Sequence, residues 1–171
     1  IAEIGVNHNG DMNLARKLVE KAKEIGCSAV KFQSFKAEKL TSKKAPKVDY
    51  QKLTSDLSES HFDMLKSLEF KEEQHYEIIE FCKKIGIEFI STAYDAEAVS
   101  FLNKLGVKKI KTASADLIDH TIHKKIAETK MKPIVAVGMA SFDEISETLD
   151  IYKKKNMKPT LLHCVSNYPC K

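Results

Sequence analysis

Short apolar runs recur along the chain, and each one breaks into a cluster of polar side chains. The first, Ile1 to Val6, carries Glu3 and leads into Asn7-His8-Asn9-Gly10. After it, Leu14, Leu18, Ala22 and Ile25 keep the spacing of one helix face, and Gly26 supplies a left-handed stop. Ala29-Val30 then lead to Lys31-Phe32-Gln33. The same grammar returns twice with glycine stops. Ile78, Cys82 and Ile85 precede Gly86, and residues 87–90 run into Ser91-Thr92; Ala98, Leu102 and Leu105 precede Gly106, and residues 107–110 run into Lys111-Thr112. Two further units use proline: Pro133 opens a run ending at Gly138-Met139, and Asn156 and Pro159 precede Leu161-Leu162 and His163-Cys164. Between them Ser141 and Glu144 have capping-box spacing for a helix carrying Ile145, Leu149 and Tyr152.

This grammar predicts six strands joined by five helical connections, hence a parallel sheet covered by helices. A doubly wound sheet and a (β/α)8 barrel both fit. No Gly-x-Gly-x-x-Gly follows a strand, and polar residues close all six, which favours the α/β barrel, whose site draws on many strand ends. Such a barrel needs about 250 residues. A chain of 171 residues is therefore expected to form one incomplete barrel domain over 1–171, with two βα units following Lys171. Ile1, which is not an initiator methionine and lies inside a strand pattern, fits a piece of a longer protein. One connection is out of scale. Residues 34–70 are lysine-rich, with a short helical piece from His61 to Leu68, and read as a lid, a binding loop or a solvated insertion.

Composition narrows the function. Apolar residues make up 43% of the chain, enough for a core, and the formal charge of +4 rests on lysine, since Arg16 is the only arginine. Nucleic-acid readers favour the planar arginine fork, so nucleic acid is disfavoured as a partner. No apolar run has the length of a membrane span and no signal peptide is visible. Cys27, Cys82, Cys164 and Cys170 lack Cys-x-x-Cys spacing and read as buried, reduced thiols of a cytoplasmic protein.

The strand ends supply the candidate chemistry. Glu3, Lys31, Gln33, Thr92, Lys111, Ser114 and Ser166 are expected to ring one bowl. Lysines with hydroxyls suit a phosphorylated anion, which carries a charge of about −1.5 to −2. One lysine–anion contact at about 4 Å is worth roughly 4 kcal/mol before desolvation. The alternative is that Lys31 and Lys111 only neutralise Glu3 and Asp116. His8 and His163 end strands and read as site residues. His120 and His123 have helical metal-ligand spacing without a third ligand, so they read as a solvated helix face; His61 and His75 read as surface.

In order along the chain, IAEIGVNHNG, AVKFQSF, FISTAYD, IKTASAD, VGMAS and LLHCVSNYP resemble the sialic acid synthase family, the NeuB-type nonulosonic acid synthases. The resemblance implies a barrel that condenses phosphoenolpyruvate with the aldehyde of an N-acetylated amino sugar, releasing phosphate. A divalent metal, Mn2+ or Mg2+, would polarise the aldehyde, and the intact protein would be a homodimer. It implies that Lys31, Thr92, Lys111, Ser114 and Ser166 hold phosphoenolpyruvate and that Gln33, Tyr94 and Tyr168 lie near the sugar. Glu3 and Asp116 would be catalytic, while Asn7, His8 and Asn167 belong to the motifs without an assigned role. The family's metal-binding histidines and its antifreeze-like C-terminal domain would lie beyond Lys171. No metal ligand is therefore expected in this chain, and the piece alone is expected to be inactive.

The departures fall around the sugar. Ser91-Thr92-Ala93-Tyr94 replaces a common Ser-Thr-Pro-Phe, Ala113-Ser114-Ala115-Asp116 replaces Gly-Ser-Gly-Glu, and Val137 replaces a threonine. A 2,4-diacetamido sugar therefore competes with N-acetylmannosamine as substrate. Two rival readings remain: a class I aldolase with a Schiff base on Lys31 or Lys111, and a non-catalytic truncated barrel.

Overall fold

The computed structural model describes residues 1–43, 45 and 60–165. Strands and helices alternate as expected. In chain order they are β1 (Ala2–Gly5), α1 (Met12–Glu24), β2 (Ala29–Ser34), α2 (Ala37–Leu40), α3 (His61–Leu68), α4 (Glu72–Ile85), β3 (Glu88–Ala93) and α5 (Ala96–Lys104). There follow β4 (Lys109–Thr112), a 3-10 turn (Ser114–Asp116), α6 (His120–Ala127), β5 (Lys132–Ala136), α7 (Phe142–Lys153) and β6 (Thr160–Leu162). The strands form one six-stranded sheet in the order β1-β2-β3-β4-β5-β6. Pairing is parallel from β3 to β6, with Thr92 opposite Lys111, Lys111 opposite Ile134 and Ala136 opposite Leu162.

The described residues fall into two compact units, Ile1–Val30 with Ser34–Glu88, and Lys31–Gln33 with the residues from Phe89 onward. In the first unit, α1 starts at Asp11, whose carboxylate accepts from the backbone N–H groups of Asn13 and Leu14. Its buried stripe is Ala15, Val19 and Ala22. That stripe is offset from the expected Leu14–Leu18–Ala22–Ile25 face, and Ile25, at the helix end, is 78% exposed. Small and branched residues let the helix backbone sit close, and the leucines flank the contact half-buried. An ion pair between Arg16 and Glu77 joins α1 to α4.

A second correction concerns His75, which is buried rather than on the surface. Its Nδ1 lies 2.9 Å from the Lys71 carbonyl and its Nε2 lies 2.8 Å from Ser34 Oγ. A carbonyl only accepts, so Nδ1 carries the proton and Ser34 donates to Nε2. Phe70 meets His75 edge-on and stacks on His8 at 3.9 Å. Both ends of the long insertion are thereby held, Ser34 on one side and Phe70 on the other. Gln74 also reaches back to the Gly10 carbonyl. Gly10 adopts φ +75, and a Cβ there would lie 2.7 Å from the Ser67 carbonyl oxygen, so only glycine fits.

In the second unit the core is built from Ile90, Leu102, Ile110, Leu117, Ile122, Ile126, Val135 and Tyr152. Phe32 stacks on Phe89 at 5.4 Å. The capping box of α7 forms as expected: Ser141 Oγ accepts from the Glu144 N–H, and the Glu144 carboxylate accepts from the Ser141 N–H. His123 is a third correction, being fully buried rather than on a solvated face. The cysteine expectation holds in part. Cys27, Cys82 and Cys164 are free thiols, but only Cys82 is buried, its thiol pushed up to about 12 by burial.

Candidate active site

Strands β2, β3 and β4 end in Lys31-Phe32-Gln33-Ser34, Ser91-Thr92-Ala93 and Lys111-Thr112. Side chains alternate along a strand, so each end must aim every second residue at one face. Lys31 Nζ donates to Thr92 Oγ1 at 3.3 Å, which puts those two side chains on the same face. Thr92 is the register partner of Lys111 in the parallel ladder, so Lys111 leaves from that face too. The two ammonium-bearing residues therefore flank one threonine. Lys31 is buried, with 7% of its surface exposed. Lys111 is half-buried and donates to the Thr112 carbonyl at 3.2 Å. Gln33 and Tyr94 stand two residues beyond Lys31 and Thr92, both half-buried.

The turn after β4 adds Ser114 and Asp116. Ser114 Oγ accepts the Gly138 N–H at 3.1 Å, tying this turn to the loop after β5. Met139, next to Gly138, holds φ 65 without being glycine, a backbone strain of about 1–3 kcal/mol of the kind that clusters at functional sites. Asp116 has a buried Oδ2 with no hydrogen-bond partner among the described residues. Burial raises its carboxyl to about 6, helped by the negative charge of Asp119. A hydrogen bond from the Ala113 backbone and the charge of Lys111 work the other way. A carboxyl near neutrality can both take and give a proton under working conditions.

Glu3, Asn7 and His8 belong to the first unit. Glu3 and Asn7 are exposed, whereas His8 is buried against Phe70 and its Nδ1 accepts the Gly10 N–H at 3.0 Å. Burial, with His75 nearby, pushes His8 down to about 4, so its ring is neutral and serves packing. His163 is exposed at the end of β6. Ser166, Asn167 and Tyr168 lie outside the described residues.

Sequence reasoning missed one group behind the site. His123, Thr148 and Tyr152 are buried together, and their hydrogen bonds end on the backbone of the turn carrying Asp116. Their only signal was polar residues within helices of otherwise apolar spacing.

A family model described as the NeuB family matches residues 18–171. The chain belongs to the NeuB family. This NeuB-family chain is 46% identical over 172 residues to the N,N'-diacetyllegionaminic acid synthase of Campylobacter jejuni, covering 99% of the chain and 52% of that protein. It is 42% identical over 174 residues to the enzyme of the same name from Legionella pneumophila, covering 99% of the chain and 49% of that protein. The crystal structure of N-acetylneuraminic acid synthetase from Leptospira borgpetersenii superposes with a TM-score of 0.86 at 30% identity, covering 99% of the chain and 55% of the other. The chain thus spans about half the length of the relatives it matches. The parallel six-stranded α/β sheet and this likeness make the fold part of a (β/α)8 barrel.

Among the described residues of this NeuB-family chain, no group of three or more His, Cys, Asp or Glu is arranged to hold a metal ion. Among the described residues, no helix is long and apolar enough to cross a membrane.

Proposed function

We infer that this chain carries the phosphoenolpyruvate-holding part of a nonulosonic acid synthase. Residues 1–171 would be the larger part of its catalytic barrel, in a cytoplasmic homodimer whose antifreeze-like domain lies elsewhere in the protein. The reading rests on one observation: Lys31 and Lys111 flank Thr92 on a single sheet face. Phosphoenolpyruvate carries a carboxylate and a phosphate, and two ammonium groups leaving one sheet face would answer both. Thr92 and Ser114 each accept one hydrogen bond, from Lys31 and Gly138, which leaves their O–H groups to donate to an anionic oxygen. The order of the motifs in the sequence supports the same assignment, with Ser166 as a further contact.

In the proposed reaction the enol carbon of phosphoenolpyruvate forms a carbon–carbon bond to the sugar aldehyde, whose oxygen takes up a proton. Water adds to the electron-poor C2 left behind and gives a proton to a base. The C2–O bond to phosphate breaks, phosphate leaves, and loss of the hydroxyl proton gives the 2-keto acid. Asp116, near neutrality and with an unpartnered oxygen, suits the base. Glu3 is the other catalytic candidate, and Gln33, Tyr94 and Tyr168 would face the sugar. The divalent cation that the resemblance implies would be held by groups outside the described residues. We assign the sugar as a 2,4-diacetamido hexose, because Tyr94 and Asp116 depart from the usual pattern where the sugar would sit, and two relatives are named N,N'-diacetyllegionaminic acid synthases.

Incubating the intact protein with phosphoenolpyruvate and either sugar in 18O-labelled water tests this. The expected products are a nine-carbon keto acid labelled at C2 and unlabelled phosphate, formed faster from the diacetamido sugar than from N-acetylmannosamine. Absence of phosphate release with both sugars rejects the function, and a borohydride-trapped lysine adduct would replace it with the aldolase reading.

A further inference from the structure

We propose that His123, Tyr152 and Thr148 are positioning residues that hold the turn bearing Ser114 and Asp116 in its working geometry. The inference rests on the function proposed above. All three side chains are buried, His123 and Tyr152 completely. They come from α6 and α7, yet each chain of hydrogen bonds ends on the turn after β4. Tyr152 Oη lies 2.7 Å from His123 Nδ1, and His123 Nε2 lies 3.2 Å from the Asp116 carbonyl oxygen. Thr148 Oγ1 donates to the next carbonyl, that of Leu117, at 2.8 Å. Two consecutive backbone carbonyls of one short turn are thus gripped by side chains from the helical layer.

The proton order follows from the acceptors. The Asp116 carbonyl can only accept, so Nε2 carries the hydrogen, and Nδ1 then accepts the Tyr152 O–H. Burial lowers the His123 pKa, which keeps the ring neutral and this tautomer in place. Tyr152 therefore decides which ring nitrogen faces the turn, although it touches no turn atom through these bonds.

Stability alone does not call for this arrangement. Polar groups placed between packed helices cost free energy unless every one is paired, and apolar residues of like volume would pack without that demand. Here the pairing is complete only because the partners are turn carbonyls. The turn's own backbone bonds are few: Asp116 N–H to Ala113, Leu117 N–H to Ser114 at 3.3 Å, and Asp119 N–H to Asp116. A short, sparsely bonded turn carrying two site residues needs an external clamp to keep its side chains in register.

The test uses Tyr152→Phe, Thr148→Val and Thr148→Ser in the intact protein. Tyr152→Phe and Thr148→Val each delete one hydroxyl while keeping the shape of the side chain, and Thr148→Ser keeps the hydroxyl while removing one methyl, so the fold survives. Losing one such bond is expected to raise KM for phosphoenolpyruvate about fivefold, the equivalent of about one hydrogen bond. Tyr152→Phe should also shift the acid limb of the kcat/KM profile, because Asp116 moves. Thr148→Ser should restore KM and Thr148→Val should not. Unchanged KM and an unchanged acid limb, with only the melting temperature or active fraction lowered, would overturn the proposal. Unsubstituted protein that neither binds nor consumes phosphoenolpyruvate would reject the function and this inference together, and is told apart because it shows before any substitution.

Discussion

Polar side chains have opposite fates in the two units. In the first, Ser34, His75 and His8 form a closed set around Phe70: Ser34 donates to His75, His75 donates to Lys71, and His8 accepts from Gly10. Desolvation lowers both imidazole pKa values, so the set is neutral and dry. In the second, Lys31 and Lys111 bring charge to the end of the sheet, Thr92 and Ser114 keep donors in hand, and Asp116 leaves a buried oxygen without a partner among the described residues. A closed set stabilises the chain, and an open one has capacity left for a ligand. Under the function proposed above, closure and not residue type would separate scaffold from site.

The sharpest way to break this contrast is to remove charge from the open set. Lys111→Met, or Lys31→Met, is expected to weaken phosphoenolpyruvate binding by about 2 kcal/mol or more, since a charge-assisted contact is lost. Steady-state KM for phosphoenolpyruvate checks it, and an unchanged value would remove these lysines from the site. Next in size, His75→Phe should remove two buried hydrogen bonds, to Ser34 and to the Lys71 carbonyl, at a cost of about 1–3 kcal/mol in denaturant unfolding, with KM untouched.

A further test is a pH dependence confined to the closed set. His8 has a folded pKa of about 4, below its ordinary 6.5, so folding favours the neutral ring. Its contribution to stability is complete above pH 6.5, declines as pH falls toward 4, and is level below that. Facing it are Phe70, the Gly10 N–H and His75, itself held neutral by burial. The melting temperature of His8→Gln minus that of the unsubstituted protein should therefore rise between pH 6.5 and 4. A difference that stays flat would show that His8 is not buried as a neutral group.

Much of this was legible in the residues. Glycine stops at Gly26, Gly86 and Gly106, all with positive φ, and the capping box at Ser141 and Glu144 are local signals, and they marked helix ends correctly. The strand-end places of Lys31 and Lys111 were legible, because the apolar runs give way to polar residues there. The buried histidines were misread for the complementary reason. His75 finds Ser34 at a separation of 41 residues and His123 finds Tyr152 at 29, and no periodicity within a helix encodes such a partner. The offset of the α1 stripe was missed because leucine outweighs alanine in hydropathy, while close packing favoured the smaller residue.

Local patterning was enough to set the order of strands and helices, the parallel α/β architecture, and which residues close each strand. These depend on spacing, chain stops and side-chain alternation, all properties of neighbouring residues. Packing in three dimensions set Thr92 beside both Lys31 and Lys111, and left His75 and His123 buried and paired. Those facts depend on the register between strands and on contacts distant along the chain, which exist only once the sheet and its helices have packed.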